Sequence, residues 1–109
     1  MVGPKDFSAK FQISDTYGNA IFEVDLSRKT VKEILDVEKP KGLTLDPSGN
    51  LYIITFTEPG RILRWDGKKL DTLFVSDDIS GGEGIASGYE SGKVVLITFE
   101  NTRRHRVKF

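Results

Sequence analysis

Residues 13–25, ISDTYGNAIFEVD, alternate apolar and polar positions on either side of a short polar turn. Alternation with period two marks a strand that buries one face, so the stretch predicts a strand, a turn and a second strand. The pattern returns as IITFTEPGRILRWD at 53–66 and as LITFENTRRHRVKF at 96–109. Placed in register, AIFEVD lies on RILRWD, with Ile21 on Ile62 and Asp25 on Asp66. Farther on, NLYIITF lies on KVVLITF, with Thr55 on Thr98. The chain is a repeat protein with a unit of about 42 residues, lengthened or shortened by small loop insertions.

A unit of that length built from several short strands points to propeller blades, since helical repeats of similar size would show a periodicity of about 3.6 residues. The middle copy displays one unit: GLTLD as an inner strand, PSGN as a tight turn, NLYIITF as the second strand, RILRWD as the third and KKLDTLFV as the outer fourth. Asp46, Pro47 and Gly49, and later Asp66 and Gly67, are turn chemistry before they are functional candidates. The one stretch with helical spacing, SRKTVKEILDVEK, is read as a strand because it occupies the place of KKLDTLFV. In the second strand of the middle copy Tyr52, Ile54 and Phe56 line one side and Leu51 and Ile53 the other, the pattern of a strand covered on both faces. The first copy keeps Phe11 and Ile13 on one face while Lys10, Gln12 and Ser14 make the other polar, so the polar side is expected to be the less covered.

The expected class is all-β: about two and a half to three four-stranded antiparallel blades, at about 1–40, 41–78 and 79–109. The expected blade-to-blade contacts are Phe11, Ile13, Phe22, Tyr52, Ile54, Phe56, Leu63, Trp65, Val95, Ile97, Phe99, Val107 and Phe109. Propellers close with typically about 4–8 blades, so this count makes half a ring. The expectation is a half-propeller that closes by dimerisation, or a fragment of a six-bladed ring.

KPKGLTLDPSGNLYIITFTEPGRILRWDG, residues 39–67, resembles an NHL-type repeat: a Pro-x-Gly opening, an apolar strand ending in Asp, a Gly-Asn turn, an apolar strand, and a turn leading to Arg-Ile. ISDTYGNAIFEVD matches the second half of that pattern through Asp15, Gly18, Asn19 and Ile21. The repeats are also similar to those of the gluconolactonase and senescence-marker group, where GRILRWD would sit naturally. Both families form six-bladed β-propellers, which is what the resemblance implies here. The chain departs from the pattern at Ala20, where Arg is preferred, at Phe56, which replaces the Asp represented by Asp15, and at GYESGK, which loosens the last turn. The gluconolactonase resemblance implies a divalent metal and lactone or ester hydrolysis, with Asp15, Glu58, Glu83 and Asn101 as available oxygens, none matching a family motif residue for residue.

Composition narrows the field further. The chain has 109 residues, 38% apolar and 29% charged, as expected of one ordinary globular domain. Sixteen basic and sixteen acidic residues balance, giving no overall attraction to nucleic acid or anionic lipid. Cysteine is absent, which excludes disulfides, thiolate metal sites and cysteine nucleophiles. No segment approaches the roughly 20 apolar residues of a membrane span, and MVGPKDFSAK lacks the apolar run of a signal peptide. These features suggest a soluble, cytoplasmic protein without a membrane partner.

The lone His105, flanked by Arg104 and Arg106, is read as structural or solvated. SGGEG at 80–84 is read as the turn before an inner strand rather than an anion-cradling nest. Arg103, Arg104, Arg106 and Lys108, with Arg61 and Arg64 one repeat earlier, could present a positive flank to RNA. Charges on an edge strand also guard against unwanted pairing, the reading preferred here. The expected function is a non-enzymatic module that self-associates, without a cofactor, and offers its ring face to a peptide or protein. A metal-dependent hydrolase and an RNA-binding module are the alternatives.

Overall fold

The computed structural model describes residues 10–100 and, as backbone, 103–108. The chain is all-β, and the described residues contain ten strands in three antiparallel sheets. The first sheet joins β1 (Lys10–Asp15), β2 (Ala20–Asp25) and β3 (Thr30–Asp36) in sequence order. The second joins β4 (Pro40–Leu45), β5 (Leu51–Thr55), β6 (Gly60–Trp65) and β7 (Leu70–Ser76). After one 3-10 turn at Asp77–Ile79, the third joins β8 (Gly84–Glu90), β9 (Lys93–Glu100) and β10 (Arg103–Lys108). No helix is long and apolar enough to cross a membrane among the described residues.

The stretch with helical spacing forms β3, paired with β2 from Asp25↔Thr30 to Ala20↔Asp36. Val31 sits opposite Val24, so the local apolar pattern serves a strand pair once a neighbour is present. β8 extends to Glu90, because Ser91 and Gly92 take positive φ (53° and 76°) and close a two-residue hairpin where GYESGK suggested a looser turn.

Register makes the three units equivalent. Ile13 pairs with Phe22, Ile53 with Leu63, and Leu96 with Val107. The turns after the third strand are also alike. Asp25 Oδ1 accepts from the N–H groups of Ser27 and Arg28, and Asp66 Oδ1 from those of Lys68 and Lys69, at 2.8–3.1 Å. An aspartate that caps its own turn leaves few backbone donors unpaired, which is why the D-x-x spacing recurs.

The sheets meet in two apolar interiors. Between the first and second lie Ile21, Val37, Leu51, Ile53 and Leu63, with Leu43 and Trp65 packed against them. Between the second and third lie Tyr52, Ile54, Ile62, Ile79, Ile85 and Leu96. The second sheet thus sends one face back to the first and the other forward to the third. β4 lies beside β1 on one side and β8 on the other. Gly42 permits the second approach: a Cβ there would come within 2.8 Å of the Gly84 Cα and 2.9 Å of the Ile85 nitrogen.

One expectation reverses. The polar side of β1 is the covered one, with Ser14 Oγ donating to the Lys41 carbonyl at 2.6 Å and Thr16 Oγ1 to that of Pro40 at 2.9 Å. The apolar side carries the exposure, with Phe11 at 43% and Ile13 at 45%. Polar side chains suit the covered side because β4 presents backbone acceptors there rather than an apolar sheet face.

Candidate functional site

The residues expected at blade contacts divide between interiors and ends. Tyr52 and Ile54 are buried in the second interior and Leu63 in the first, where Trp65 is half-buried. Phe56 is half-buried beneath Lys41, whose Nζ lies 4.5 Å from the ring centroid and 3.9 Å from Glu83 Oε1. Phe11 and Ile13 are joined on the outward face of the first sheet by Phe22 and Val24, which pair with Ile13 and Phe11. On the third sheet Val94 and Leu96 belong to the interior, so the alternate residues Val95, Ile97 and Phe99 line its other face. Val95 is buried, Ile97 half-buried and Phe99 41% exposed. A shallow hollow of about 220 Å³ lies on that face, lined in part by Ala86, Tyr89, Val95 and Ile97. Val107 lies on β10, and Phe109 falls outside the described residues.

Alternation along single strands undercounted the interiors. Ile21, Ile62, Ile79, Ile85 and Leu96 are buried core residues. The adjacent pair Ile62 and Leu63, apolar on both sides of β6, carried the signal that both faces of the second sheet are covered.

The basic flank is partly neutralised. Arg61 Nη1 lies 3.2 Å from Glu38 Oε1 and Arg64 Nη2 lies 3.4 Å from Asp71 Oδ2, which Lys69 also approaches at 3.5 Å. Arg103, Arg104, Arg106 and Lys108 lie on β10, in register with Glu100, Phe99, Ile97 and Val95. His105 pairs with Thr98 in the same ladder.

In SGGEG the N–H groups of Gly81 and Glu83 donate to the carbonyls of Thr57 and Phe99, so these donors hold the turn in place. Asp15 caps its own turn by accepting from the Gly18 N–H at 3.0 Å. Glu58 is exposed, and Asn101 falls outside the described residues. No group of three or more His, Cys, Asp or Glu that could hold a metal ion occurs among the described residues.

The densest polar network surrounds Asp46. Its Oδ1 accepts from the N–H groups of Ser48 and Asn50, and its Oδ2 from Asn50 Nδ2 and, at 2.9 Å, from Tyr52 Oη. Burial opposes ionisation of Asp46, but the bonds from Asn50, Tyr52 and Ser48 outweigh it and hold the carboxyl below its usual value. Burial first, and the bond to Asp46 second, push the Tyr52 hydroxyl up to about 12. The carboxylate is saturated by its own turn and by Tyr52, an arrangement that locks the β4–β5 hairpin to the second interior. No protein-family model matches the chain, and no curated protein matches it either.

Proposed function

We propose that this chain is a β-propeller repeat module, about half of a six-bladed ring, that works by self-association and not by catalysis. The supporting observation is that three sheets with one shared register stack in one sense, the second sheet packing one face back on the first and the other forward on the third. Strands β4 and β8, the first strands of the second and third sheets, run side by side where those sheets meet, as inner strands around an axis would, and β1, the counterpart of β5, lies on the other side of β4. Thr44 Oγ1 and Ser87 Oγ, 3.1 Å apart, link β4 to β8 there. The ring face formed by the loops between strands is the surface offered to a peptide or protein, since propeller loops vary freely on a rigid scaffold.

A crystal structure of the purified chain tests the reading. Six sheets around one axis are expected, and sheets that do not share an axis would defeat it. The hydrolase alternative calls for metal-dependent turnover of lactones or aryl esters by the purified chain. The RNA alternative calls for binding that falls steeply with salt, and the ion pairs of Arg61 and Arg64 count against it.

A further inference from the structure

Resting on the ring proposed above, we infer that the outward face of the first sheet is the docking site for the outward face of the third sheet of a second copy. The pairing is head to tail and occurs twice in the closed ring. Its template lies inside the chain. In the second interior, Tyr52 and Ile54 of the forward face of β5 pack with Ile85 and Leu96 of the next sheet. Thr55 aligns with Thr98, so Val95 and Ile97 are the counterparts of Tyr52 and Ile54. On the receiving side, Ile13 pairs with Phe22 as Ile53 pairs with Leu63, so the outward face of the first sheet matches the backward face of the second.

Each end therefore carries half of the contact that the chain makes in its second interior, and the halves are complementary. Two identical faces meeting would instead set forward against forward, a combination seen at neither interior. A heterologous contact of this kind closes into a ring only when the rotation between copies returns to its start, which two half-rings satisfy.

Two single-face variants separate the alternatives, measured by native mass spectrometry with far-UV circular dichroism as the folding control. Ile13→Asp breaks the receiving face and Phe99→Asp the donor face, both at residues more than 40% exposed. Phe11→Asp and Ala86→Asp repeat the test at neighbouring exposed positions. Each variant alone is expected to be monomeric at concentrations where the unmodified chain is a dimer. An equimolar mixture of Ile13→Asp and Phe99→Asp is expected to form a mixed dimer, weaker than the original because one of two contacts remains. A homodimer of either variant, or a mixture that stays monomeric, overturns the head-to-tail pairing while leaving a dimeric ring standing. A monomeric unmodified chain overturns both, and assigns the faces to some occupant other than a second copy.

Discussion

β5 and β1 occupy the same place in two copies of one repeat, yet every residue of β5 is buried while β1 alternates between exposed and half-buried. β1 is apolar on one face and β5 on both, and both strands pair with the next strand in the same register. The difference lies in what stands on either side. β5 has a sheet before it and a sheet after it, whereas the first sheet has an apolar neighbour on one face only. Burial in a stacked repeat is thus set by the flanking units more than by the strand itself.

The comparison breaks most severely at its centre. Ile54→Ala leaves a hole among Tyr52, Ile62 and Leu96 and is expected to cost about 2–5 kcal/mol by urea denaturation. Trp65 is half-buried against the first interior, so Trp65→Ala is expected to cost about 2 kcal/mol, less than the ~3–5 kcal/mol of a fully enclosed aromatic. Asp46→Ala strips the acceptor from Ser48, Asn50 and Tyr52 and is expected to cost about 1–3 kcal/mol.

Acid sharpens the contrast between turns and interiors. Asp25 is held below its usual value chiefly by the Arg28 N–H, and Asp66 by those of Lys69 and Lys68, as Asp46 is by its own network. Carboxylates depressed by folding stabilise the chain above their unfolded value of 3.8, and this contribution is lost as the pH falls through that value to the lower folded ones. Denaturation midpoints are expected to drop below about pH 4, and to drop less in Asp46→Asn. Tyr52 behaves in the opposite sense. Its contribution is complete below 10.0 and is lost as the pH rises toward about 12, a titration visible by ultraviolet absorbance. The smallest effect belongs to the end face: Ile13→Ser is expected to change the stability of a single copy by less than about 0.5 kcal/mol.

Much of this fold was legible in the sequence. The alternation around ISDTYGNAIFEVD, the match of Asp25 to Asp66 and the match of Thr55 to Thr98 located strands, turns and the repeat, because each reports a local constraint. Which face of β1 is covered was not legible. Ser14 and Thr16 look like solvent-facing residues until the carbonyls of Lys41 and Pro40 are placed against them, and that depends on β4 arriving from far along the chain. The saturation of Asp46 by Tyr52 was hidden for the same reason: a turn aspartate and a core aromatic are each ordinary, and only the hairpin joins them. The end faces are the residue of both effects, written as alternating strands and revealed as uncovered by the stacking.

The molar mass of the purified chain by light scattering, across a range of concentrations, tests most directly whether these faces close a ring. The expected value is twice the 12.2 kDa of one copy and does not grow with concentration. A compact particle of single-copy mass, or a mass that climbs without limit, would contradict it.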